Sequence, residues 1–356
     1  MQVKVLEFDE EASFFTSQLK NRENDLHYLP SRAFRKTSSD FYDRYLNEVL
    51  IGIRTEDLSE SSPGYDNFSR TIEPKLRKKS VSNEINLITF FGDRDIDLNQ
   101  LLSFEDINLL ADFEQRYNDH LVSLPFTLKF REDTYNATQI LNDIRASYSD
   151  FASTLRRTNL LGYVPAYVSH RELENFIRLY LDTASTINTP VGTLNYVPLL
   201  IDCKNSLPDK FKRSLAKLRQ LKLKYLDEGT YLSYYGFSLG TPRVSEKKQI
   251  NTTLAKEFLL SFLGFDIIGG SHTRIKPGGG GNAFDEKAAG VFARDDFSYH
   301  LRRLPKREYD RTKPSNFADQ TEYLSGLSRN MQTNRELAKN ELHRRREAFD
   351  YVESYR

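Results

Sequence analysis

Asp202 ends "YVPLLID" (196–202), the most apolar of the short runs that read as strands. On an extended strand its side chain shares a face with Leu200 and Pro198. A carboxylate on such an inner rim can act as base, nucleophile or metal ligand, and partial burial raises its pKa. A turn-capping role competes with that reading, because "DCKNSLPD" is rich in turn residues. His272, one of six histidines, follows Gly269 and Gly270 in "FDIIGGSHTR". Glycine lets the backbone approach a ligand closely, and an imidazole moves protons near neutrality or binds a metal. The expected catalytic set is Asp202, His272 and Asp93, with Asp202 as acid/base or nucleophile and His272 as proton shuttle.

The stretch "FDIIGGSHTRIKPGGGGNAF" (265–284) carries six glycines. Its first half can hold an anion on backbone N–H groups and Arg274, whereas "PGGGG" reads as a slack connection or a lid. Neither a P-loop nor a dinucleotide fingerprint is present. Gly269, Gly270, Arg274, Arg94 and Lys204 are the expected anion-binding residues. Asp202, Asp266 and His272 together would make a two-carboxylate, one-histidine metal set. A divalent metal is therefore a candidate cofactor, although no ligand spacing supports it. Cys203 reads as a small buried hydrophobe rather than a nucleophile.

"FARDDFSYHLRRLPKREYDRTK" (292–313) interleaves basic residues with Phe297, Tyr299 and Tyr309. Such a mixture can grip a nucleic-acid backbone and stack bases, with Arg302, Arg303 and Arg307 as the expected contacts. Asp295, Asp296, Glu308 and Asp310 dilute the charge, so a salt-bridged surface segment competes.

Composition narrows the classes. The 356 residues carry a formal net charge of +1, so local clusters must supply any attraction for polyanions. One cysteine excludes an internal disulfide, a cysteine-rich zinc site and a cysteine-ligated iron–sulfur cluster. It fits a reducing compartment. The start, "MQVKVLEFDEEASFF", lacks the pattern of a secretory signal, and no run approaches the roughly 18–20 apolar residues of a membrane span. A cytoplasmic protein with no membrane partner is expected.

The elements that must position these residues are short strands alternating with helical patterns. Strands are expected at 3–8, 48–54, 85–92, 125–130, 161–167, 196–202, 230–237 and 265–270. Helices are expected at 103–120, 137–157, 169–184, 207–226 and 252–264, the last ending at Gly264. The alternation predicts an α/β fold, a (β/α)8 TIM-barrel-like domain, with an open doubly wound parallel sheet as the alternative. The organisation expected is a barrel-like domain over 1–284, a basic irregular segment over 285–316 and a helical extension over 317–356, broken near 326–334. The extension is a candidate surface for homo-oligomers.

Ligands of parallel sheets bind at the carboxyl ends of strands. That rule selects Asp9, Arg54, Asp93, Arg94, Arg131, Tyr167, Asp202, Lys204, Tyr235 and the 269–274 stretch. In size and basic additions the chain is similar to barrel enzymes that modify nucleic-acid bases, such as the tRNA-guanine transglycosylases. Their cysteine-rich zinc motif and catalytic signature are missing, so no residue is carried over. The function expected is a hydrolase or transferase using acid/base chemistry on a phosphorylated metabolite or nucleic acid. The alternative is a non-catalytic nucleic-acid-binding or assembly protein using its basic C-terminal region.

Overall fold

The computed structural model describes residues 3–9, 13–20, 26–34, 46–53, 70–80, 85–92, 104–117, 121–155, 159–188, 190–271 and 286–356. At its centre is a nine-stranded sheet in which every pair is parallel. Its strands are β4 (Ser31–Phe34), β5 (Leu46–Ile53), β6 (Asn86–Gly92), β7 (Leu121–Ser123), β8 (Phe126–Thr127), β9 (Asn159–Pro165), β10 (Asn195–Ser206), β11 (Thr230–Leu239) and β13 (Phe265–Ile268). They lie in the order β7-β9-β10-β11-β13-β4-β5-β6-β8. The ladder is a curled sheet with two ends, as the open alternative has it, and not a seamless barrel. Those ends, β7 and β8, are separated in the chain only by Leu124 and Pro125.

Aromatic side chains fill the inside of the curl. The Phe126 ring stacks on Tyr163 at 4.7 Å and meets Phe237 edge-on at 5.8 Å. Phe237 in turn meets Tyr235 at 5.9 Å. These rings come from β8, β9 and β11, so the curl wraps both ends of the ladder around one interior. Such rings contribute large buried areas and prefer these offset and edge contacts.

Helices α1 (Glu73–Lys79), α2 (Phe104–Tyr117), α3 (Ala137–Thr154), α4 (Leu173–Ile187) and α5 (Lys212–Asp227) alternate with the strands. Asn136 and Gln139 start α3 with a reciprocal capping box. On α4 Leu173, Phe176, Ile177 and Tyr180, at spacings of three and one, form one buried stripe. Tyr180 lies over Gly162 of β9, where a Cβ would stand 2.7 Å from the ring, and its hydroxyl donates to Tyr163 O at 2.9 Å.

Three expectations need correction. The run at 3–8 is a strand, β1 (Val3–Asp9), but it pairs antiparallel with β2 (Phe14–Lys20). With β3 (Leu26–Leu29) these strands form a separate sheet near the amino ends of β11 and β13. The place expected for it in the parallel sheet is taken by the four-residue β4, which is too short to show a period. The segment 252–264 is not one helix. It contains β12 (Thr252–Leu254), paired with a distant strand, and a 3-10 turn over Phe258–Leu263, closed by Gly264 at φ 90°. Finally, the segment read as irregular holds two strands, β14 (Glu286–Ala293) and β15 (Ser298–Pro305), in a third sheet of order β12-β15-β14.

Helix α6 (Lys306–Asn330) follows, then α7 (Leu337–His343) and α8 (Arg346–Glu353); α6 runs on through 326–330, and the break expected near 326–334 falls at 331–336. These helices pack on their own chain. Ser328 donates to Leu29 O at 2.9 Å, and the Lys339 amide donates to Asp9 at 3.0 Å. Leu324, Leu327, Met331, Leu342 and Val352 are buried. Among the described residues no helix is long and apolar enough to cross a membrane.

Candidate active site

The carboxyl ends of β8 to β11 carry a buried ion pair. Arg131 ends the 3-10 turn Leu128–Arg131 that follows β8. Its Nε donates to Asp202 Oδ2 at 2.8 Å and its Nη2 to Oδ1 at 2.6 Å. Asp202 is wholly buried, whereas the Arg131 side chain keeps 14% exposure. Two further donors reach Asp202: the Tyr163 hydroxyl at 2.8 Å and the Lys204 amide at 3.0 Å. Four hydrogen bonds saturate the carboxylate, which makes Asp202 an anchor rather than a free nucleophile. Burial works against the charge of Arg131, but Asp202 outweighs it and holds the guanidinium ionised. The guanidinium lies 5.6 Å from the Phe126 ring centre and 5.8 Å from that of Phe237.

Tyr163 and Tyr167 extend this pair outward. Their oxygens are 2.8 Å apart. The single Tyr163 proton goes to Asp202, so Tyr167 donates to Tyr163, and the chain runs Tyr167 to Tyr163 to Asp202. Burial raises the pKa of both phenols, which keeps them protonated donors.

The backbone beside this chain is strained. Lys204, Asn205 and Ser238 have φ of 50°, 53° and 57°, and they lie at the ends of adjacent strands. Non-glycine residues in this region cost energy and cluster at functional sites. The register between β10 and β11 shifts over the same residues, after Asp202. Asn205 Oδ1 accepts from Ser238 Oγ at 3.0 Å and from Ser271 Oγ at 3.5 Å, joining the ends of β10, β11 and β13.

A second polar centre lies below Gly269 and Gly270. Glu48 of β5 accepts from the Tyr235 hydroxyl and from the Gly270 amide, the latter at 3.2 Å. A Cβ on Gly269 would stand 2.2 Å from Glu48 Oε1, so glycine is required there. The glycine pair expected to cradle an outside anion thus turns both amides inward, Gly270 to this carboxylate and Gly269 to Gly236 O at 2.8 Å. Arg32 of β4 is fully buried, stacked 4.4 Å from the Phe317 ring centre, and among the described residues no guanidinium nitrogen has a hydrogen-bond partner. Its charge acts on both Glu48 and the buried Glu257, which accepts from Tyr299.

Burial pushes the Glu48 carboxyl up to about 7, against the pull of Tyr235, Gly270, Arg32 and Lys313. Unfolded, the group titrates near pH 4.3. Between these values the folded chain keeps a proton that the unfolded chain has released. Stability therefore falls as pH rises through that window and levels off above it, by roughly 3–4 kcal/mol in all. Glu48→Gln removes this slope. In thermal unfolding from pH 5 to 8 the variant should gain on the wild type as pH rises; a difference constant with pH would refute a proton-holding Glu48.

Among the expected site residues, Asp202, Lys204, Gly269 and Gly270 all lie at this end of the sheet. Lys204 is 37% exposed on its side chain and pairs with Asp133 at 3.3 Å. Asp93, Arg94, His272 and Arg274 lie outside the described residues. Asp266 does not join Asp202. It is held by Lys222 at 2.7 Å and by Tyr231, near the other end of β13. Among the described residues no three acidic, histidine or cysteine side chains gather as metal ligands. Cys203 is buried, and burial pushes its thiol pKa up. Arg302 and Arg307 are exposed, while Arg303 pairs with Glu246 at 2.7 Å.

Sequence reasoning gave Arg131 a place on the rim but no role, and it missed Glu48, Tyr163 and Arg32. A charged residue inside an apolar strand, as in "EVLIGI" (48–53), was the available signal for Glu48. No protein-family model matches the chain, and no curated protein matches its sequence.

Proposed function

We propose that this chain is an α/β enzyme that acts on an anionic substrate, by hydrolysis or group transfer with acid/base chemistry. The observation that carries the proposal is the Arg131 edge. Asp202 locks two of the guanidinium nitrogens, and Nη1 makes no hydrogen bond among the described residues. A fixed, partly exposed fork at the carboxyl end of a parallel sheet suits a carboxylate or phosphate oxygen. Lys204, whose ammonium also pairs with Asp133, adds a second positive charge at the end of β10. Glu48, with a pKa near neutrality, is the candidate acid/base. The one cysteine, buried, fits a cytoplasmic setting.

Inorganic phosphate tests the anion site. It should raise the Tm of the full chain. Lys204→Ala should need about tenfold more phosphate for the same rise, as for the loss of one charged contact. Arg131→Lys keeps a charge but loses the fork, and should lose most of the response. An equal response in all three proteins, or none in the wild type, would end this reading.

A further inference from the structure

We infer that the third sheet and the first turns of α6 form a docking surface for a single-stranded nucleic acid, and that this strand is the anionic substrate. The second half rests on the function proposed above; the docking surface does not.

Charge is concentrated there. Residues 243–250 and 302–313 hold nine Lys or Arg against three Asp or Glu, in a chain whose formal net charge is +1. The rest of the chain is therefore net acidic. The fold joins the two segments. A bridge between Ser245 and Ile250 closes a tight turn, Arg303 clasps Glu246 in it, and Leu301 N donates to Asn251 O at 2.7 Å. Arg243, Lys247, Lys248, Arg302 and Arg307 are exposed, and their side chains make no ion pair or hydrogen bond among the described residues. Left unpaired, these charges are available to a partner.

The same surface carries the apolar exceptions. Among the described residues the exposed large hydrophobics are Ile250 at 37% and Tyr309 at 38%, and both lie here. Tyr309 has Lys287 Nζ 5.4 Å from its ring centre. Arginine forks on phosphates together with an exposed ring for stacking are the means by which single strands are held. A duplex hides its base faces from such a ring. A membrane surface would call for a broader apolar face than these two side chains offer.

The surface also leads to the candidate site. The basic turn leaves the end of β11 through Gly240, whose amide donates to Ser206 O at 2.9 Å at the end of β10. Farther along α6, Phe317 lies 3.7 Å from where a Cβ on Gly270 would be.

Fluorescence anisotropy with a labelled, mixed-sequence single-stranded oligonucleotide tests this, as DNA and as RNA. The wild type should bind with a steep salt dependence. The triple variant Lys248→Ala/Arg302→Ala/Arg307→Ala should bind at least tenfold more weakly, with a log–log salt slope shallower by about 2. Tyr309→Ala should weaken binding with the slope unchanged. Lys78→Ala, which removes an exposed charge on α1 outside this surface, should bind the strand as the wild type does. Unchanged binding by the triple variant would overturn the inference, as would binding of phosphatidylserine vesicles or polyglutamate in preference to the oligonucleotide. If strand binding depends on the surface while phosphate gives no response at Arg131 and Lys204, the docking surface stands and the rim reading falls.

Discussion

Arg131→Ala should destabilise the chain by about 3–5 kcal/mol, the usual result of stranding one member of a buried ion pair. Asp202 is wholly buried and would lose contacts of 2.6 and 2.8 Å at a stroke. The Tyr163 hydroxyl and the Lys204 amide would remain, but they carry no counter-charge. Urea unfolding of Arg131→Ala, Asp202→Asn and the double variant measures the coupling. The double variant should lose less than the sum of the singles, by about 1–3 kcal/mol. Additive losses would show that the two side chains act independently, and Asp202 would no longer be an anchor. Arg131→Ala should also abolish the phosphate response, since the fork is gone.

Lys222→Met should produce a stability loss of similar size, about 3–5 kcal/mol, for the same physical reason. Lys222 lies on the buried stripe of α5. Its ammonium donates to Asp266 Oδ2 at 2.7 Å and to Gly264 O at 2.6 Å. The rings of Phe15, Tyr231 and Tyr234 surround it, with centres 4.2, 4.8 and 5.3 Å away. Burial lowers its pKa, opposed by Asp266. Methionine replaces the packing of the stem but leaves Asp266 charged and buried. Asp266→Asn in the same chain should restore part of the loss, and a single variant as stable as the wild type would refute the pair. The contrast with Arg131 lies in the expected phosphate response. Lys222 lies near the amino end of β13, so the folded fraction of Lys222→Met should still respond to phosphate.

Elements with a strong local period were readable in the sequence. The α4 stripe and the runs that became β6, β10 and β11 are long and apolar enough to announce themselves. β4 was not readable, because four residues carry no period and one of them is a buried arginine. The strand at β12 was misread as helix because its antiparallel partner is β15, far along the chain. The candidate site divides in the same way. Asp202 stood out as a charge ending an apolar strand. Its partner Arg131 is 71 residues away, and nothing in the sequence joins the two.

By itself the sequence determined the class of protein: an α/β chain with a parallel sheet, one thiol, and charge gathered near residues 300–313. Composition and period are local properties, so they survive without a structure. Only the tertiary structure decided what the charges do. Curling the sheet put Arg131 against Asp202, so that the carboxylate expected to do chemistry accepts four hydrogen bonds and the guanidinium keeps one partly exposed edge. It also set Gly269 and Gly270 over Glu48, so that one amide of an expected anion cradle already faces a carboxylate. Whether a buried charge serves catalysis or stability depends on its partners, and residues far apart in the chain become partners only when the chain folds.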